Sequence, residues 1–318
     1  MHAVRTASGH PVCRVAFSPC GNWFATAQPN HGVTVYDRAG AAVRTVGSPR
    51  WTDYTGLTFC HGGAWIAAAG LKGIAVYDAA TGACLGSTHY QSMRGFRLGS
   101  TGDVLLGVGR GAILELLVHP GEPMIGRTVW SVTAGESGEV SHEGRWAVAF
   151  RPTGRPIVVD LLSGQESHVL DHPARNRPNV PGQHAAPVVG FATAPRAALA
   201  AGTSVAVFDL TPAVDRPVAS DELPAPRPVE KACFTLPPPN CWPAGKPWCP
   251  PFSLTPDGRG LLVKRPRERV QLWDVDAGTL DVEWSWRLDG ITCLAVAPDG
   301  LTAVAGARHG RLVMWDLA

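Results

Sequence analysis

A short apolar run closing on aspartate recurs along this chain, and that recurrence constrains its fold more than any other feature. The copies are GVTVYD (32–37), GIAVYD (73–78), RPIVVD (155–160), SVAVFD (204–209), RVQLWD (269–274) and RLVMWD (311–316). Their aspartates stand at 37, 78, 160, 209, 274 and 316, spaced by 41, 82, 49, 65 and 42 residues. The interval of 82 is twice 41, so a further copy is expected halfway. GAILELLV (111–118) lies there, without the aspartate. Seven units result.

Each unit holds more than this one strand. Upstream runs a strand, a turn and a second strand, as in VAFSPCGNWFATA (15–27), LTFCHGGAWIAAAG (57–70), FSLTPDGRGLLV (252–263) and LAVAPDGLTAVAG (294–306). The turns are rich in Gly, Pro and Asp, the residues that hairpin connections demand. After the aspartate comes another turn, such as DAATGA (78–83), and a polar outer strand, such as ACLGST (83–88). Four strands in about 40–45 residues is the period of one blade in a radial array of sheets. A blade cannot bury both faces alone, so stability must come from stacking neighbours.

The motifs Trp273-Asp274 and Trp315-Asp316, the variants Tyr36-Asp37, Tyr77-Asp78 and Phe208-Asp209, the turns at 18–21, 256–258 and 298–300, and Gly9-His10 carry a resemblance. Over essentially its whole length the chain resembles the WD-repeat β-propeller family. The resemblance implies an all-β fold: one seven-bladed propeller over 1–318, with four-stranded antiparallel blades. It also implies that residues 3–8, AVRTAS, supply the outer strand of the last blade and close the ring. The family's hydrogen-bonded set of His, Ser/Thr, Trp and Asp is nearly absent. His31, Lys72, Arg110 and His309 stand where its acidic residue belongs, which marks a divergent member held by apolar packing.

Composition narrows the function. Hydrophobic residues make up 45% of 318 residues, enough for a large core, and Gly 36 and Pro 28 are spread as punctuation. Lysine occurs only at 72, 231, 246 and 264, so 24 of the 28 cations are arginine, which reads as the base-composition bias of a bacterial genome. A net charge of +2 gives little support to a nucleic-acid partner. The opening MHAVRTASGH has no apolar leader, and no run is long enough to span a membrane. Eight cysteines without a close CxxC pair fit reduced thiols, so the expected location is cytoplasmic with no membrane partner.

No catalytic signature appears: no GxSxG, no phosphate-cradling glycine loop, no HExxH. Among the inner strands only Glu139 supplies an acid, which disfavours a channel-bound metal. The chain is therefore expected to be no enzyme and to need no cofactor. From Asp209 to Asp274 the unit is overlong, and its surplus, 211–251, holds 12 prolines. VEKACFTL (229–236) is the expected outer strand of blade five there, with polyproline-like loop around it. Cys233, Cys241 and Cys249 lack a fourth ligand and a tight pair and read as free thiols. Trp242 and Trp248 could anchor a partner or pin the long loop to the blades.

The candidate binding residues are cationic and aromatic. Connections between second and third strands hold Lys72, Arg110, Arg151, Arg265, Arg267 and Arg308, with acids almost absent. Loops entering the blades add Arg50, Trp51, Tyr54, Tyr90 and Arg94. Both sets should crowd around one mouth of the channel, where they would suit an acidic protein or peptide. The expected function is a non-catalytic protein–protein interaction scaffold. The alternative is nucleic-acid or acidic-ligand binding by the same face.

Overall fold

The computed structural model describes residues 2–5, 9–47, 53–70, 73–88, 97–101, 104–109, 112–120, 124–131, 136–141, 145–150, 156–161, 165–169, 188–192, 196–201, 204–210, 229–235, 251–265, 267–286, 288 and 290–317. Among them regular structure is strand, apart from 3-10 turns at His61–Gly63 and Arg308–Gly310. After β1 (His2–Arg5) come the four strands of sheet one, β2 (Arg14–Phe17), β3 (Trp23–Gln28), β4 (Gly32–Asp37) and β5 (Ala42–Val46). Sheet two is β6 (Tyr54–Cys60), β7 (Trp65–Gly70), β8 (Gly73–Asp78) and β9 (Cys84–Thr88). Sheet three is β10 (Arg97–Thr101), β11 (Val104–Gly109), β12 (Ala112–Leu117) and β13 (Ile125–Ser131). Sheet four is β14 (Glu136–Val140), β15 (Trp146–Phe150), β16 (Pro156–Asp160) and β17 (Gln165–Val169). Sheet five is β18 (Val188–Phe191), β19 (Arg196–Ala201), β20 (Ser204–Asp209) and β21 (Val229–Thr235). Sheet six is β22 (Phe252–Leu254), β23 (Gly260–Arg265), β24 (Arg269–Asp274) and β25 (Thr279–Ser285). Sheet seven has β26 (Ile291–Val296), β27 (Thr302–Ala307), β28 (Arg311–Asp316) and, hydrogen-bonded outside β28, the N-terminal β1.

Sheets one to six are four-stranded antiparallel meanders, sheet seven is antiparallel with β1 as its fourth strand, and the hidden copy at 111–118 is β12. In sheet seven His2 pairs with Met314 and Arg5 with Arg311, so β1 occupies the outer position that the fourth strand holds elsewhere. The segment 229–236 supplies β21, which runs beside β20 with Ala206 opposite Cys233.

The middle strands are buried on both faces: β3, β4, β7, β8 and β27 are almost wholly inaccessible, whereas β5 and β25 are mostly exposed. Alternation then assigns each side chain to one neighbouring sheet. In sheet one, Ala25, Ala27, Val33 and Val35 pack with sheet two, while Phe24 and Tyr36 pack with sheet seven. Separate apolar clusters join sheets two and three, three and four, four and five, five and six, and six and seven. First strands touch in the series β2, β6, β10, β14, β18, β22 and β26, and β26 touches β2.

The seam between sheets seven and one is where the N-terminal segment crosses. The chain leaves β1 and crosses to β2 through residues 9–13, where the Val12 N–H donates to the Ala307 carbonyl at 3.2 Å. The Thr292 hydroxyl donates to the Val12 and Gly306 carbonyls. Only glycine fits at 306, because a Cβ there would lie 2.6 Å from both Cys293 Sγ and Val12 Cγ1. Phe24 stacks on Tyr36 at 4.9 Å between ring centres on the same seam.

Candidate binding surface

Antiparallel alternation gives the sheets two ends. One carries the turns between first and second strands and between third and fourth. Here the recurrent Ser, Thr and Asp residues act as turn acceptors. Ser18 Oγ accepts the Trp23 N–H at 3.1 Å, Ser141 Oγ accepts that of Trp146 at 2.9 Å, and Thr255 Oγ1 accepts that of Gly260 at 2.7 Å. The strand-ending aspartates do the same for the next turn: Asp37 accepts from Ala41, Asp78 from Thr81 and Asp274 from Ala277. Side chains of Asx type favour such turns because they replace a backbone acceptor. Bonds from the Thr81 backbone and hydroxyl hold the Asp78 carboxyl below its ordinary pKa. Burial raises Asp257, but bonds from the Thr255 hydroxyl and the Arg259 N–H outweigh it and leave that carboxyl lowered too. Ion pairs also cross the seams at this end: Arg38 with Asp299 at 2.6 Å and Arg196 with Asp276 at 2.9 Å.

The other end carries the turns between second and third strands and the segments entering each sheet. Asn30, Arg267, Glu268 and His309 all adopt left-handed backbone here, with φ of 58, 62, 58 and 59°. Asparagine tolerates that region, whereas the other three residue types do so at a cost of order 1 kcal/mol each. Arg267 and Arg308 are exposed on these turns. Both turns border the segment that enters sheet seven. The Glu268 carboxylate accepts the Ile291 N–H at 2.7 Å, and the Arg308 N–H donates to the Gly290 carbonyl at 3.0 Å. The Arg308 side chain lies over Gly290, where a Cβ would approach its Cδ to 2.8 Å.

Two expectations at this end need correction. Tyr54 is not on an entering loop: it begins β6, is 5% exposed, and packs between sheets one and two. Burial pushes its phenol well above the ordinary value. Thr55 and Gly56 lie inside the same strand, where the β6–β7 register shifts between Tyr54 and Gly56. Arg265 is not a loop residue either; it ends β23 opposite Arg269, half-buried, and burial lowers its guanidinium pKa. The turn also carries an acid. Glu268 sits beside Arg267 and approaches the Lys264 amine at 3.7 Å, which reduces the local positive charge.

Lys72, Arg94, Arg110, Arg151, Trp51, Tyr90, Trp242 and Trp248 lie outside the described residues, as do Arg50, Cys241 and Cys249. Among the described residues the family's polar network has no counterpart at Trp315, whose buried indole N–H finds no acceptor there, while Trp273 donates to Gln271 at 3.1 Å. Among the described residues no group of three or more His, Cys, Asp or Glu could hold a metal ion, and no helix is long and apolar enough to cross a membrane.

The family model "WD domain, G-beta repeat" matches residues 2–37 and 285–316, the segments that meet at the seam between sheets seven and one. No curated protein sequence matches the chain. The chain is similar in structure to the β-propeller domain of Cps50 (Swd1) from Myceliophteria thermophila, with a TM-score of 0.75 and 13% identity over 100% of both chains. It is also similar to a chain of a mitotic checkpoint complex, with a TM-score of 0.70 and 15% identity over 99% of this chain and 93% of that one. At such identities the structural likeness speaks for the fold alone. The WD-repeat model thus matches the two ends of the chain, and the fold along its length is similar to that of solved β-propellers.

Proposed function

We propose that this chain is a non-catalytic protein–protein interaction scaffold, in which seven blades form one closed ring and the cation-bearing end receives an acidic protein or peptide. The ring reading is supported by the unbroken series of first-strand contacts, including β26 with β2, and by the pairing of β1 with β28. Deleting residues 1–8 would bare the edge of β28, and open strand edges invite aggregation. A large fall in melting temperature, or aggregation, is expected; a truncated chain that melts like the full one would contradict closure.

The observation that carries the binding reading is the placement of Arg267 and Arg308 as exposed residues on turns flanking one segment, 290–291. Rigid blades hold those turns, so little ordering is lost on binding, and exposed arginines can form charge-assisted bonds to carboxylates or phosphates. Glu268 within the same turn tempers the field, which favours a discrete acidic segment over a polyanion such as nucleic acid. The test is capture of partners from the host by the tagged chain, followed by kinetics with the captured protein. Changing Arg110, Arg267 and Arg308 to serine should slow association and flatten its salt dependence. Unchanged association at low salt would refute the reading.

A further inference from the structure

At the opposite end, a cleft of about 570 Å³ opens between sheets six and seven. Its walls are two equivalent turns, Thr255–Gly260 of sheet six and Pro298–Leu301 of sheet seven, with Leu272 and Trp273 of β24 and Leu317 beyond β28. The lining is apolar at its centre and acidic at its rim. Leu301 is 54% exposed there, a large apolar side chain left in solvent. Around it stand Asp257, Asp274, Asp281 and Asp299, with Arg259 in the lining and Arg38 paired to Asp299 from sheet one, so acids outnumber cations four to two.

Three of these carboxylates have structural work. Asp257 accepts from the Thr255 hydroxyl and the Arg259 N–H, Asp274 from Ala277, and Asp299 from Leu301 and Arg38. Asp281 has none: it is exposed on the outer strand and makes no hydrogen bond or ion pair among the described residues. A cavity of this size suits one or two side chains of an extended segment. An apolar centre with a carboxylate rim matches a side chain whose stem is apolar and whose head is cationic.

We infer that this cleft docks an extended segment of a partner protein carrying an arginine or lysine beside an apolar side chain. The apolar neighbour covers Leu301 and Leu272, and the cationic head pairs with Asp281. Apolar contact supplies affinity, and the acidic rim selects cationic over anionic segments. The site is separate from the cation-bearing end and selects the opposite charge, so it gives the scaffold a second, chemically distinct surface.

The test uses the full chain and fluorescein-labelled peptides with Leu-Arg-Leu fixed at the centre and Gly, Ser and Ala around it, read by polarisation. The expected result is binding that weakens with salt and is absent for a Leu-Glu-Leu pool. Asp281→Lys should weaken it by about tenfold or more, since a rim carboxylate becomes a like charge. Leu301→Ser should weaken it without changing the salt dependence. Ile125→Ser, which removes an equally exposed apolar side chain on sheet three, should leave it unchanged. All three positions are exposed, so melting curves should match the parent. No binding at high micromolar peptide, equal binding of the Glu pool, or full binding by Asp281→Lys and Leu301→Ser would overturn the inference. Because the readout involves no partner captured at the other end, it fails independently of the scaffold reading there.

Discussion

The two ends of the sheets are built from the same hairpins and solved differently. At one end, side-chain oxygens of Ser18, Ser141, Thr255, Asp37, Asp78 and Asp274 satisfy turn N–H groups, and ion pairs tie sheet one to seven and five to six. At the other end, the turns at Asn30, Arg267–Glu268 and His309 bend through left-handed non-glycine residues, as His61 does at the first end, and leave Arg267 and Arg308 in solvent. The first arrangement spends polar side chains on holding turns. The second uses Glu268 and Thr292 in the same way but leaves Arg267 and Arg308 available for an outside partner, at some conformational cost. The lesson is that stability and display are separated along the strand axis, with the apolar seams between.

Substitutions can break or sharpen this contrast. The largest effect is expected at Gly306, an exception at the display end. Alanine there would press on Val12 and Cys293 where the chain crosses between sheets, and overpacking of that kind costs about 1–3 kcal/mol. Denaturant unfolding of Gly306→Ala is the measurement, and an unchanged midpoint would mean the crossing can move aside.

Ser141→Ala comes next. Ser141 is fully buried, and its loss leaves the Trp146 N–H with one acceptor fewer, a change worth about 1–2 kcal/mol. If this variant unfolds at the parent's midpoint, the capped end is not where stability resides.

Acid should act on the same end more weakly. The Asp78 and Asp257 carboxyls are held below their ordinary pKa by bonds to their ionised forms. Such groups contribute stability that is present above the unfolded value, about 3.9, and is lost as pH falls through the folded one. The melting temperature should thus be flat near neutrality and decline below about pH 4. Asp78→Asn with Asp257→Asn keeps an acceptor at each turn but removes the titration, so its decline should be shallower.

Much of the architecture was legible in the sequence, because the residues that repeat are those the turns need. Aspartate ends the third strand in copy after copy since its carboxylate caps the following turn, and the doubled spacing exposed β12 even where that aspartate is missing. VEKACFTL stands out against its prolines because only a proline-free stretch can donate along a strand. The site was less legible. Tyr54 and Arg265 look like loop residues until the register places them in β6 and β23, and register depends on pairing that no local pattern reveals. Glu268 was missed because its effect is spatial: it reaches back to Lys264 and across to Ile291. The cleft was missed although its two walls are the related turns TPDG (255–258) and APDG (297–300). Their repetition in adjacent units was the available signal, but an apolar centre appears only once β24 is set between them.

The separation of stability from display is tested most directly by the pair Arg267→Ser and Arg308→Ser in one chain, measured for unfolding and for partner capture beside Ser141→Ala. Exposed turn substitutions usually change stability by less than about 0.5 kcal/mol, so the double variant should unfold with the parent. It should also lose most captured partner at low salt, whereas Ser141→Ala should be less stable yet capture normally once folded. A double variant that captures the same partner as the parent, or that unfolds well before it, would contradict the account.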